Sequence, residues 1–360
     1  MLDAVVEVDR RDFTVRAAFT VAPGERLALF GPSGAGKTSV LEAIAGLVPL
    51  SRGRVVLGGR VLTSTAPALA VPPWQRRVGL LRQDPGLFPH LSVRDNLGYA
   101  PAAHRHAAEL TELADLLEIG GLLPAMPARL SGGQQHRVAL GRLLLADCDA
   151  LLLDEPYSGL DAALRRALTG LVVRLVEDRQ VPAIMVAHEL PDAQAFADRL
   201  AVLDAGALLQ TGTPDEVVLR PASRRVAELV GYLGFVPLDS ASHADDASHA
   251  DDAGSTGGAD GAGVVAGVHP DRLIAGEHPD RGVVLAGIMT GLRPSGASWE
   301  ADLRVAGSVI VCRLADRPAA AGGTLVVTAV EPPRFGPDGA ALPAAAPVPG
   351  LLPRGHQAGA

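Results

Sequence analysis

RLALFGPSGAGKTSVLEAIAGL, residues 26–47, decides the fold. A short apolar run leads into a glycine-rich loop, and the loop opens a helical stretch. That context is the one in which the pattern G-x-x-x-x-G-K-[ST], the P-loop, binds phosphate. Here the fixed positions are Gly31, Gly36, Lys37 and Thr38. The loop also contains Pro32, Ser33, Gly34 and Ala35 and ends at Ser39. Its backbone amides form an anion nest at a helix N-terminus. The chain has one lysine among its 32 cationic side chains, and that lysine is Lys37. An ammonium is a compact point charge and a guanidinium a planar fork. Only the former fits between nucleotide phosphates wrapped by backbone N–H groups. Thr38 would offer its hydroxyl to Mg²⁺.

The run ALLLDEP (150–156) reads as a buried strand ending in two carboxylates. Beside a P-loop, Asp154 is expected to hold Mg²⁺ and Glu155 to polarise the attacking water as general base. Strand ends of this kind are where open α/β sheets bind ligands. LSGGQQHRVALGRLLL (130–145) opens a further helix at Ser131, Gly132, Gly133 and Gln134, a second anion site. One P-loop already covers one face of a triphosphate. A second phosphate-binding helix start is surplus in a monomer, so it predicts a head-to-tail homodimer with ATP at the interface.

At 360 residues the chain exceeds what one core usually supports, about 250–300 residues, so two domains are expected. Its apolar content of 48% is ample for burial, and the net charge of −8 argues against nucleic acid as a partner. Cys148 and Cys312 are far apart and form no disulfide or zinc spacing, which fits a reducing compartment. The start, MLDAVVEVDRRDF, lacks the apolar stretch of a signal peptide. No uncharged apolar run reaches about 18 residues, so a membrane role is expected only through a partner.

Strands are predicted at VVEV, FTVRAAFTV and RLALF, around a Gly-Gly turn in RVVLGGRVL (54–62), at VGLLRQ (78–83), at AIMVAH (183–188) and as a hairpin over 199–212. Residues 92–145 are mostly helical in period. Buried strands alternating with helices predict a largely parallel sheet. The tandem SHADDA at 242–253 and the small, acidic residues after it read as a flexible spacer. His243 and His249 are read as part of that solvated spacer rather than as metal ligands. GVVLAGIMTGL, SWEADLRVAG, SVIVCRLA and TLVVTAVE predict a small antiparallel barrel or sandwich. The expected organisation is an ATP-binding domain over 1–235, a linker over 236–262, a β domain over 263–335 and a disordered tail over 336–360.

Taken in order, GPSGAGKTS, Gln83 in LLRQDPGLFPHLSV, LSGGQQ, LLLDEP, SGLD ending at Asp161, and His188 after a strand resemble the nucleotide-binding subunit of an ATP-binding cassette transporter. The resemblance covers residues 1–235. It implies an α/β P-loop NTPase core with a helical subdomain. It also implies that Gln83 senses Mg²⁺ and the γ-phosphate and that His188 contacts the γ-phosphate. Asp161 would communicate across the dimer, and an upstream aromatic would stack on adenine, for which Phe13 is the nearest candidate and Phe19 a core residue. Partners implied are integral membrane permease subunits and, through them, a substrate-binding protein. Segment 84–130, with Phe88 and Leu91, would grip the permease from the cytoplasmic face of the membrane.

GVHPDRL is similar to the entry into the accessory β domain, TOBE-like, of importer ATPases for oxyanions, sugars, polyamines and iron. The stretch PPWQRRVGLLRQDPGLFPHLSVRDNLGYA looks most like molybdate importers, while sulfate and iron importers share much of it. No S-A-R-N string of the molybdate-binding β domains is present. The β domain is therefore open to two readings, a dimerisation element or an anion sensor using Arg272, Arg281, Arg293 or Arg304. A soluble, non-transport ATPase of the superfamily is the more remote alternative. Such proteins carry two cassettes or a long coiled-coil insertion, and neither is found here.

Overall fold

A computed structural model describes residues 1–100, 107–237, 265–275, 282–295, 298–305, 307–314 and 324–343. By contact the chain forms two compact units, Met1–Val217 and Val218–Ala360.

The first unit is built on one sheet of 11 strands in the order β6-β5-β4-β1-β2-β11-β10-β3-β9-β8-β7. These are β1 (Leu2–Asp9), β2 (Thr14–Val21), β3 (Arg26–Phe30), β4 (Arg52–Leu57), β5 (Arg60–Thr65), β6 (Ala68–Ala70), β7 (Val78–Leu81), β8 (Ala150–Asp154), β9 (Ala183–Ala187), β10 (Arg199–Asp204) and β11 (Ala207–Gly212). The helices are α1 (Lys37–Ala45), α2 (Val93–Leu97), α3 (Ala107–Leu116), α4 (Gly132–Leu144), α5 (Ala162–Arg179) and α6 (Leu190–Phe196), and α7 (Pro214–Leu219) runs across the boundary between the units.

The expectation of a largely parallel sheet needs correction. β7, β8, β9, β3 and β10 run parallel, and β11 meets β2 in parallel. The pairs β1–β2, β1–β4, β4–β5, β5–β6 and β10–β11 are antiparallel. Connection length decides this. A turn such as Gly58-Gly59 can join only antiparallel neighbours, whereas parallel ones need a helical crossover. The burial of β1 alternates along the strand, whereas every residue of β8 and β9 is buried. Each fully buried Leu or Ile of these strands contributes about 1.5–3 kcal/mol.

Register does the rest. Phe30 pairs with Ala187, and Asp154 with Val186. The P-loop, the acidic pair and His188 therefore leave the sheet side by side at the C-terminal ends of the neighbouring strands β3, β8 and β9.

The second unit is all-antiparallel apart from α8 (Arg224–Leu229) and a short helical turn. β14 (Leu273–Ala275), β15 (Gly282–Ser295), β16 (Ser298–Val305), β17 (Ser308–Leu314) and β18 (Thr324–Val330) form a sheet in the order β14-β18-β15-β16-β17. β12 (Gly234–Pro237), β13 (Val265–Val268), β19 (Arg334–Phe335) and β20 (Ala341–Leu342) form another. Val236 and Val268 of the second sheet share one core with Leu285, Leu303, Ile310 and Val327 of the first, in a sandwich-like arrangement. Arg293 is bonded to Glu300 and Asp302, and Arg272 to Glu331.

Residues 218–235, expected with the first domain, group with this unit. Tyr232 lies edge-on to His269 at 5.1 Å between centroids, and Phe235 to Phe335 at 5.8 Å. Residues 236–237, expected in the linker, belong to β12. Residues 336–343, expected as tail, are held by the β19–β20 pairing and by Ala341 N–H on the Ala222 carbonyl. The SHADDA repeats, Arg281 and the chain after 343 lie outside the described residues.

Candidate active site

The P-loop is shaped by close backbone approach. A Cβ at Gly31 would lie 1.9 Å from the Leu203 carbonyl oxygen of β10, and one at Gly36 2.5 Å from Cγ2 of Val15. Gly36 takes a left-handed conformation with φ 101 and starts α1. The turn after β10 steadies the loop, with Gly206 N–H on the Ala35 carbonyl at 3.1 Å. Lys37 is the first residue of α1, and its Nζ donates to the carbonyls of Gly31 at 2.7 Å and Pro32 at 2.8 Å. Burial pulls its pKa down, while the charges of Glu155 and Asp154 oppose that shift.

Asp154 and Glu155 are adjacent yet have different partners. Asp154 ends β8, is 3% exposed, and accepts from Thr38 Oγ1 at 3.2 Å. Burial raises its pKa, against the Thr38 hydrogen bond. Glu155 has φ 51, a left-handed turn that redirects the chain. Its N–H donates to the Val186 carbonyl at 3.3 Å, and its carboxylate Oε1 meets Nε2 of His188. The Thr38 hydroxyl and Asp154 carboxylate are hard oxygen donors side by side. They suit Mg²⁺, which is commonly held by one or two protein oxygens with phosphate and water completing the shell. No group of three or more His, Cys, Asp or Glu poised for a metal is found among the described residues.

Sequence reasoning placed Lys37, Thr38, Asp154, Glu155 and His188 in one site, and the structure brings them together. The other candidates stand apart. Ser131 caps α4 in a reciprocal box with Gln134, Oγ accepting at 3.3 Å and Oε1 accepting at 2.9 Å. Nothing lies within 4 Å of a Cβ built on Gly132 or Gly133, so the mouth of α4 is open. Asp161 caps α5, accepting from Ala163 and Leu164 at 2.8 and 3.0 Å, and these bonds lower its pKa. Gln83 is exposed in the loop after β7. Among the described residues no hydrogen bond ties Gln83, Ser131 or Asp161 to the Lys37–Glu155 group. Phe13 is half-buried against the core beside Gly206, and Phe19 is core.

Several contributors escaped the sequence. Arg10 donates to Ser39 Oγ at 2.9 Å and to Glu42 at 3.3 Å, bracing the start of α1. Arg76 is buried at the other end of α1, donating to the carbonyls of Ala43 and Ile44. His136 of α4 is buried, with Nε2 unpartnered, and faces the backbone of Glu155 and Pro156. A cavity of about 240 Å³ beside Glu155 and His188 is lined by Tyr157, Arg165, Glu189 and Asp192. None of these sits in a fixed-position motif, and an arginine-rich chain hides which arginines matter.

An ABC transporter family model matches residues 15–158. A molybdenum import ATP-binding protein of Mesorhizobium japonicum is 39% identical over 251 residues, covering 69% of this chain and 67% of that protein. The chain belongs to the ABC transporter family. Other ABC relatives include an Fe(3+) ions import ATP-binding protein of Rhodococcus jostii, 42% identical over 218 residues, covering 59% of this chain and 62% of that one. A sulfate/thiosulfate import ATP-binding protein of Chromobacterium violaceum is 42% identical over 228 residues, covering 62% and 61%. The chain thus spans about three fifths of the length of these two relatives. Among solved structures, an ATP-binding subunit of an ABC transporter aligns with a TM-score of 0.54 at 24% identity, covering 64% of this chain and 95% of that one. A dimeric ATP-binding cassette in a post-hydrolysis state with ADP and Pi aligns with a TM-score of 0.50 at 24% identity, covering 59% and 99%. At that identity the structural likeness establishes the ABC ATPase fold. No helix among the described residues is long and apolar enough to cross a membrane.

Proposed function

We propose that the chain is the ATP-hydrolysing subunit of an ABC importer for molybdate or a related oxyanion, working on separate membrane permease subunits from the cytoplasmic face. The observation that carries this reading is the convergence of Lys37, Thr38, Asp154, Glu155 and His188 at the C-terminal ends of the parallel strands β3, β8 and β9. Two of the three Lys37 N–H donors hold its own loop, which leaves one for a β- or γ-phosphate oxygen. Thr38 and Asp154 would hold Mg²⁺, which when bound neutralises charge on those oxygens. Glu155 takes the proton of the attacking water. The water oxygen bonds to the γ-phosphorus, the bond to the β-phosphate bridging oxygen breaks, and ADP leaves. His188 orients the Glu155 carboxylate and meets the γ-phosphate.

The open mouth of α4 at Gly132 and Gly133 would complete the site of a second copy, and Asp161 would reach across the same interface. Phe13, upstream of the P-loop, is the candidate aromatic for stacking on adenine. Gln83 and the segment carrying Phe88 and Leu91 would report the state of the site to the permease. ATP must favour the closed dimer over the open one for this to do work.

The molybdate reading is supported by the Mesorhizobium relative, whose match extends over more of this chain than those of the iron and sulfate relatives. Higher identity to the iron and sulfate relatives favours those cargoes as the second reading. The test is ATP turnover of the chain with its candidate permease in lipid, adding substrate-binding protein loaded with molybdate, sulfate or ferric ion. Stimulation by the molybdate-loaded form alone is expected. Stimulation by another form reassigns the cargo, and indifference to every form rejects the importer role.

A further inference from the structure

Beyond the last ladder pair, Asp154 with Val186, the strands β8 and β9 part into two loops. One loop runs through Tyr157 to Asp161 and α5; the other holds His188 and enters α6. Among the described residues, the side-chain hydrogen bonds that join them are those of Glu155 to His188 and of Arg165. Arg165 stands in the first turn of α5. Its backbone N–H donates to the Asp161 carbonyl at 3.0 Å, and its Nη2 donates to the Leu160 carbonyl at 3.4 Å. Its Nη1 donates to Glu189, the neighbour of His188, and to both oxygens of Asp192 in the first turn of α6, each at 3.3 Å. The side chain is 30% exposed, with Nε buried, and it walls the cavity next to Glu155. A planar fork reaches two loops at once, and an ammonium does not.

We infer that Arg165 is a positioning residue that couples the Leu160–Asp161 loop to His188, so that His188 meets Glu155 in register only when that loop is in place. The inference rests on the proposed ATP hydrolysis. Hydrolysis thereby becomes conditional on the loop expected to touch the second copy. Arg165 touches no reacting atom; it acts through His188 and Glu155.

The test is a double-variant cycle on the full chain, with single-turnover phosphate release, ATP affinity and melting temperature as readouts. Arg165→Met is expected to lower the rate about tenfold at unchanged ATP affinity. In a His188→Ala background the same change is expected to cost less than about twofold, because the group it positions is gone. Multiplying losses in the double variant, or a wild-type rate in Arg165→Met, overturns the inference. If Arg165→Met does not fold, Asp192→Ala removes the acceptor of the same bridge on the α6 side and is held to the same outcomes. A wild-type chain that releases no phosphate while binding ATP would instead count against the proposed hydrolysis.

Discussion

His188 Nε2 meets Glu155 Oε1 across 33 residues of sequence, at the ends of two adjacent parallel strands. A carboxylate held by an imidazole has a fixed direction, and direction is what a general base needs before its basicity counts. His188→Ala is expected to lower phosphate release by about 10²-fold or more while ATP affinity stays within about twofold. Equal losses in rate and affinity would make His188 a binding group instead.

Lys37→Arg keeps the charge but not the shape. The Lys37 ammonium is buried between two loop carbonyls, at 2.7 and 2.8 Å, and a guanidinium would displace the loop it closes. ATP binding by titration calorimetry is expected to weaken about tenfold, or ~1.4 kcal/mol. Normal affinity would remove the argument from the single lysine.

Two glycines separate folding from function. Gly31→Ala sets a methyl against the Leu203 carbonyl and is expected to cost about 1–3 kcal/mol of stability, read as a lowered melting temperature. Gly132→Ala meets nothing within 4 Å and is expected to melt like wild type while losing ATP turnover. Its loss would therefore report contact with nucleotide on the second copy.

Acid should destabilise the fold through His136. Burial lowers the pKa of its imidazole from the ordinary 6.5, so the unfolded chain takes up this proton first as pH falls. The stability it contributes is complete above about pH 6.5 and is lost progressively below that value. His269 is shifted in the same direction, also by burial. The melting temperature is expected to drop between about pH 7.5 and about pH 5.5, and His136→Gln to flatten part of the drop. A flat wild-type profile would contradict this.

Much of this molecule is legible in order along the chain, because a P-loop, a strand ending in carboxylates and a capped Ser-Gly-Gly helix are local objects. Lys37, Thr38, Asp154 and Glu155 could be assigned to one site because a P-loop and a buried strand ending in carboxylates are local signals, and His188 joined them only through the family resemblance. What stayed hidden is relational. The divergence of Asp154 and Glu155 depends on the left-handed backbone at Glu155, which no propensity announces. The antiparallel half of the sheet follows from which strands neighbour one another, a property of pairing and not of composition. Arg165 bridges two loops from a position that, in sequence, is merely one more helical arginine.

The most direct measurement compares MgATP turnover and oligomeric state in wild type and Glu155→Gln. The variant is expected to bind ATP, to release phosphate about 10²-fold more slowly or worse, and to accumulate as a nucleotide-bound dimer on sizing. Wild-type turnover in Glu155→Gln, or a variant that stays monomeric with ATP bound, would contradict a hydrolytic site completed between two copies.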